Sequence, residues 1–330
     1  MIKYISFIES FCTDPYRNIA EEKYITSHVG PSECVLFLWE NHRTVVIGKN
    51  QNVWAECEIG KMKSDSVRLA RRLSGGGAVY HDAGNLNYSF CAQQDDYDVE
   101  RQMNVILRAL LANGIPAEKS GRNDISVQGR KCSGNAFYQK DRRCCHHGTL
   151  MIDVDKEALG KYLNVPPDKL KSKGIASVRS RVINLSEINP AITSGTLRRD
   201  LIRAFTEEYG LPARQWETGP GFETEVSADA AFLSSDEWLY DRPIPFSNTL
   251  RSRFPWGGIE LQLNVDRGRI AGIRCYTDSM CENLPALLEA ALTGLRYDPA
   301  GMSEAVLEIP EYGYFTDSVK QNLCELLQHL

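Results

Sequence analysis

Residues 71–82, RRLSGGGAVYHD, place two arginines and a serine ahead of three consecutive glycines. Three glycines cost conformational entropy and bury no side chain, so the pattern calls for bare backbone. Successive main-chain N–H groups on such a bend can bind an anionic oxygen. Arg71 and Arg72 offer forks of donors suited to phosphate. The spacing is neither Gly-x-Gly-x-x-Gly nor a P-loop, which would end in Gly-Lys-Ser/Thr, so neither of those nucleotide fingerprints is predicted. The competing reading is a glycine-rich hairpin bend with solvated arginines.

A second segment, SGRNDISVQGRKCSGNAFY at 120–138, is predicted to project Lys131 from a short strand beside a bend. An ammonium there can neutralise charge gathered between a carboxylate and a phosphate. Asp124 could hold magnesium through oxygen coordination. By residue type alone, a lysine is ordinarily solvated and an aspartate ordinarily sits in a turn. The run Cys144-Cys145-His146-His147 invites a zinc reading, yet successive side chains of an extended chain point to opposite faces. Four ligands to one ion are therefore not expected. A catalytic thiol at Cys144 or Cys145, with His146 or His147 beside it, is a further reading; a packed, inert cysteine is the plainer expectation. Residues 168–182 gather Lys169, Lys171, Lys173, Arg179 and Arg181 around Gly174. They read either as a solvated basic loop or as a flap hinged at Gly174 over an anionic ligand.

Regular elements must hold these segments. Asp14-Pro15 reads as an N-cap followed by proline at the first helical position, with Tyr16, Ile19, Ala20 and Tyr24 on one face. CVLFLW and TVVIG, joined at Asn41-His42-Arg43, read as adjacent strands. VRLARRLS and GAVYHD flank the glycines like strand ends, and LNYSF adds another strand. Val99, Met103, Ile106, Leu107 and Leu110 recur at helical spacing up to Asn113-Gly114. Residues 117–154 are predicted as short extended pieces, followed by helices over 155–163 and 196–209. The segment 211–235 is less periodic, and its ETGPGFETE reads as loop. IELQLNV and RIAGIRCYT are predicted to form a hairpin across Asp266-Arg267-Gly268, and the end of the chain is mostly helical.

The 330 residues suffice for one large domain and a smaller one. A net charge of −5 supplies no global field toward nucleic acid or an acidic membrane, so an anionic ligand must be held by local basic groups. MIKYISFIESF lacks the apolar core of a signal peptide, and no apolar run is long enough to span a bilayer. Ten scattered cysteines without a Cys-x-x-Cys pair read as reduced thiols. A cytoplasmic protein is expected, with neither nucleic acid nor membrane as partner.

In order along the chain, RRLSGGGAVYHDAGNLNYSF, SGRNDISV, GRKCSGNAF, HHGTLMIDVD and KSKGIASVRSRVINL resemble the bacterial lipoate–protein ligase A family. The resemblance begins near DPYRNIAEE and continues through FPWGGIELQLNVDRGRI, so it covers nearly the whole sequence. It implies an α+β fold: a mixed sheet flanked by helices, related to biotin ligases, over residues 1–245, then a small α/β accessory domain over 246–330. It also implies a monomer that uses ATP, Mg2+ and lipoate to form lipoyl-adenylate and pyrophosphate. The lipoyl group then passes to a lysine of an acceptor, releasing AMP. The implied acceptors are lipoyl domains of 2-oxoacid dehydrogenase complexes and the glycine-cleavage H protein.

Residue by residue, the resemblance assigns Arg72, Gly77, Ala78, Val79 and Tyr80 to the nucleotide. Gly75 and Gly76 fall beside the acyl chain. Lys131 becomes the catalytic residue, touching both the lipoate carboxylate and the nucleotide phosphate. Asp124 sits in the matching Asn-Asp pair, as a magnesium candidate, and Lys173, Gly174 and Arg179 belong to the loop that closes over the adenylate. Cys132 stands where the family often has valine, and the Cys144-Cys145 pair is unusual. A cysteine-dependent octanoyl- or lipoyl-transferase of the same fold is therefore the second enzyme reading, and a non-catalytic binder of lipoyl domains the third.

Overall fold

Residues 1–121, 123–164, 182–240 and 246–329 are described in a computed structural model. The strands are β1 (Tyr4–Glu9), β2 (Glu33–Trp39), β3 (Thr44–Ile47), β4 (Arg68–Arg71), β5 (Val79–His81), β6 (Asn85–Gln93), β7 (Glu118–Ser120), β8 (Asp124–Val127), β9 (Arg130–Lys140), β10 (Arg143–Met151), β11 (Ala213–Gln215), β12 (Asn248–Phe254), β13 (Gly257–Asp266) and β14 (Arg269–Thr277). Eight of them form one sheet in the order β11-β1-β2-β6-β10-β9-β8-β7. β1 runs parallel to both β11 and β2, and the pairs from β2 to β7 are antiparallel, so the sheet is mixed as expected. Two compact units divide the chain: Met1–Val46, Glu56–Ala70 and Val79–Ser235 make the first, and Ile47–Ala55, Arg71–Ala78 and Asp236–Leu330 the second.

Strand alternation decides what each face of the large sheet buries. Leu36 and Leu38 of β2 and Leu86, Tyr88 and Phe90 of β6 share one core with helices Val99–Ala112 and Ser194–Tyr209. Burying each such large apolar side chain contributes about 1.5–3 kcal/mol, which is why both helices carry an apolar stripe. The opposite face carries helix Pro15–His28, whose Glu22 reaches Ser89 of β6. Asp14 caps that helix, its side chain accepting from the Tyr16 and Arg17 N–H groups.

Several expectations are met. The helix at 99–112 ends at Asn113, with Gly114 left-handed at φ 71°. β13 and β14 pair across Arg267 and Gly268, both at positive φ, the geometry of a tight two-residue hairpin. In the second unit this hairpin and β12 form a three-stranded sheet, whose apolar side chains share a core with helices Leu284–Leu292, Pro299–Glu308 and Asp317–Leu327.

Three expectations need correction. β2 and β3 are consecutive but not paired: β3 leaves the large sheet and lies between β4 and β5 in a sheet of its own. The strands flanking the glycines therefore pair with β3 and not with each other. Residues 117–154 build β9 and β10 as strands of 11 and 9 residues, longer than the short pieces expected. Finally, part of ETGPGFETE is helical, because a helix runs over Phe222–Leu233. Contacts distant in sequence hold it: Arg17 pairs with Glu223 at 2.9 Å, Lys23 pairs with Asp229, and Phe222 packs edge-on to Tyr24 at 5.0 Å.

Candidate active site

The glycine turn belongs to the second unit, and its bareness is used by the protein itself. A Cβ on Gly75 would overlap the Ser279 carbonyl oxygen, and Gly76 N–H donates to that same oxygen at 3.2 Å. Gly76 has φ +90°, where a Cβ would stand 2.8 Å from Arg72 Nη2. Gly77 is different: it is exposed, lies outside the left-handed region, and has open space where a Cβ would sit.

The two arginines are not solvated. Arg71 is buried and donates to the carbonyl oxygens of Lys49, Gln51, Trp238 and Leu239 at 2.6–2.9 Å, which commits its guanidinium to structure. Arg72 curls back, donating to Gly75 O and Gly77 O at 2.7 Å and to Ser74 Oγ at 3.1 Å. Of the sequence assignments, then, Arg72, Gly75, Gly76, Gly77 and Ala78 lie on one turn. Val79 and Tyr80 follow on β5 in the first unit, where Tyr80 is buried with its ring 5.7 Å from that of Tyr162.

Lys131 extends from β9 in the first unit and pairs with Asp124 Oδ1 at 2.7 Å. Asp124 is opposite Gly134 in the β8–β9 register. A Cβ at Gly134 would come within 2.9 Å of Lys131 Nζ and 3.1 Å of its Cε, so this glycine leaves room for the ammonium. That role left no mark that the sequence reading used. In this structure Asp124, the magnesium candidate, has its Oδ1 engaged by the Lys131 ammonium. Cys132, next in the chain, faces the core; burial pushes its thiol up to about 12. Gly134→Ala is expected to displace the ammonium and slow any reaction Lys131 serves about 10- to 100-fold. Because the atom displaced is the end of a flexible side chain, the thermal midpoint should barely move. A parental rate would show that the lysine's position is immaterial.

Alternation splits the Cys-Cys-His-His run as expected. Cys144 and His146 face one way, and His146 has Nε2 2.7 Å from Asn135 Oδ1 and Nδ1 3.0 Å from Gln102 Oε1. Burial, then neighbouring His147, depresses the His146 pKa to about 3, so it is a neutral packing group. Cys145 and His147 face helix Pro15–His28, where His147 Nδ1 lies 2.7 Å from Glu22 Oε1. Glu22 escaped the sequence reading. Its signal was a glutamate three residues after Ile19 and four before Thr26, on the apolar face of the helix.

Lys173, Gly174 and Arg179 lie outside the described residues, as does nearly all of the 168–182 segment. Where description resumes, Ile183 N–H donates to the Lys131 carbonyl at 2.9 Å.

Residues 14–206 match the lipoyl protein ligase A/B catalytic domain, and residues 244–327 match the bacterial lipoate protein ligase C-terminus. Lipoate-protein ligase A of Psychrobacter cryohalolentis is 40% identical over 303 residues, covering 89% of each chain. Among solved structures, P. falciparum LipL1 in complex with lipoate is similar at TM-score 0.83 and 31% identity, over 98% of this chain and 99% of its own. The bi-partite lipoate protein ligase of Thermoplasma acidophilum, studied with its E2 lipoyl domain, gives TM-score 0.65 and 27% identity over 74% and 99%. A lipoate-protein ligase A bound with ATP gives 0.64 and 25% over 73% and 99%. With both stretches matched in order and the identity sustained along the sequence, this chain belongs to the lipoyl protein ligase A/B family and carries the C-terminal domain of its bacterial members.

Proposed function

We propose that this chain is an ATP-dependent lipoate–protein ligase. A lipoate carboxylate oxygen attacks the α-phosphorus of ATP, pyrophosphate leaves, and lipoyl-adenylate forms. The amine of an acceptor lysine then attacks the acyl carbon, loses a proton, and AMP leaves. The observation that carries this reading is the held ammonium of Lys131, in a chain so similar to a lipoate-protein ligase A. An ammonium between carboxylate and phosphate lowers the repulsion between two anions as they approach, and it stabilises the charge that builds at phosphorus. Gly75 and Gly76 would border the acyl chain, while Arg72, Gly77, Ala78, Val79 and Tyr80 would meet the nucleotide, Tyr80 through its main chain because its ring is buried. Arg72 would have to exchange its loop carbonyls for phosphate oxygens.

The acceptors we propose are lipoyl domains, in keeping with the E2 lipoyl domain studied beside the archaeal ligase. We place the end of the catalytic part at residue 245 and the accessory domain from 246. All ten cysteines are free thiols, which suits a reducing cytoplasm. No helix among the described residues is long and apolar enough to cross a membrane.

The deciding experiment is ATP–pyrophosphate exchange with lipoate present and no acceptor protein. Lipoate-dependent exchange is expected. Its absence in folded protein, with acyl transfer proceeding without ATP, would mean thiol chemistry instead. The geometry weighs against that alternative: Cys144 and Cys145 are buried, and burial holds the Cys145 thiol far above its ordinary pKa, so the nucleophilic thiolate is scarce. The double variant Cys144→Ser/Cys145→Ser is expected to keep ATP-dependent lipoylation per folded molecule and to form no acyl-thioester by intact mass. A thioester trapped on either cysteine of the parent would reverse the assignment.

A further inference from the structure

The buried edge of helix Pro15–His28 that faces the sheet is not wholly apolar. Glu22 has no exposed surface. Its Oε1 accepts from Ser89 Oγ at 2.5 Å and stands 2.7 Å from His147 Nδ1. Its Oε2 is buried and has no hydrogen-bond partner among the described residues. Among those residues, its ion pair is to His147 and to no lysine or arginine. A buried carboxylate with one oxygen unsatisfied is costly, and such groups are ordinarily paired or bound to metal.

We infer that Glu22, Cys145 and His147 form a binding site for one divalent transition ion of the zinc class, between helix Pro15–His28 and β10. A ligand atom from each lies within 4.8 Å of the other two, and all three residues are buried. Small side-chain shifts bring such a set onto one ion at roughly 2.0–2.3 Å. Thiolate, imidazole and carboxylate together favour zinc over magnesium or calcium, which prefer oxygen alone. The charges balance as well. Cys145 releases its proton on binding, and one thiolate with one carboxylate neutralises a doubly charged ion. Burial suppresses that ionisation in the metal-free protein, and the ion supplies the driving force.

The strand alternation that prevents four ligands from the Cys-Cys-His-His run is what assembles this set, because Cys145 and His147 share a face. Three protein ligands leave a fourth position for water. Cys91, opposite Cys145 in the β6–β10 register, and Thr26, whose Oγ1 is 3.2 Å from the Cys91 Sγ, bound the site on one side. The His147 side chain is 10% exposed, so of its ion pair with Glu22 it is the member nearer to solvent.

The test uses the full chain, stripped with chelator, dialysed and titrated with Co2+ and then Zn2+. One equivalent of Co2+ is expected to give a thiolate-to-cobalt charge-transfer band, bleached by Zn2+, and Zn2+ should raise the thermal midpoint. Cys145→Ser should abolish the band, Glu22→Gln should weaken binding at least about tenfold, and Cys144→Ser should leave it intact. Should a variant fail to fold, X-ray absorption of the zinc-loaded parent decides the matter, since a sulfur scatterer beside nitrogen or oxygen is required. Absence of the band in the parent, its persistence in folded Cys145→Ser, or a zinc shell without sulfur would overturn the site.

Discussion

Lys131→Ala is expected to lower lipoyl-adenylate formation about 10²- to 10³-fold, the loss typical when one preorganised charge stabiliser is removed. The reason is geometric. Asp124 at 2.7 Å and the missing side chain at Gly134 hold the ammonium in place before any substrate arrives, so no reorganisation is needed during reaction. Stability should hardly change. The Lys131 and Asp124 side chains are 39% and 33% exposed, and pairs of this kind contribute about 0–1 kcal/mol. Rate and thermal midpoint therefore separate the chemical role from a structural one. Lys131→Arg keeps the charge but moves it onto a broad planar group in a place sized for an ammonium, so partial recovery is expected. If folded Lys131→Ala formed adenylate at the parental rate, the lysine would have no part in activation.

Substitutions within the glycine turn should give opposite outcomes at adjacent positions. Gly75→Ala drives a methyl into the Ser279 carbonyl, a main-chain atom that cannot rotate away, and overpacking of this kind costs about 1–3 kcal/mol. A clear fall in thermal midpoint is expected. Gly76→Val should be at least as harmful, because φ +90° disfavours any β-branched residue before a ligand is considered. The turn's own packing therefore puts the loss of stability at Gly76 ahead of any loss of ligand binding. Gly77→Ala isolates the ligand instead. Its methyl meets nothing within 4 Å, so stability should stay within about 0.5 kcal/mol of the parent's. ATP affinity by calorimetry should fall if the nucleotide lies against this backbone. Unchanged ATP affinity would remove Gly77 from the nucleotide site.

Features that depend on a few neighbouring residues were legible in the sequence. Asp14 with Pro15 starts a helix because the cap bonds N–H groups two and three residues on. Arg267-Gly268 turns a hairpin because Gly268 takes positive φ freely, with Arg267 carried to φ 48° beside it. The alternation of Cys144 to His147 follows from the pleat of any strand, and the glycines and Lys131 stood out by type and order. Tertiary structure decided where partners far apart in the chain meet. It set β3 between β4 and β5, made a helix of Phe222–Leu233 through its packing on Pro15–His28, and turned both arginines of the glycine turn onto main-chain carbonyls. It also brought Glu22 to His147, 125 residues away. Local rules of capping and turning act over about four residues. Strand order, and the burial of a charge between a helix and a sheet, depend on which distant surfaces close together, and a one-dimensional pattern does not contain that.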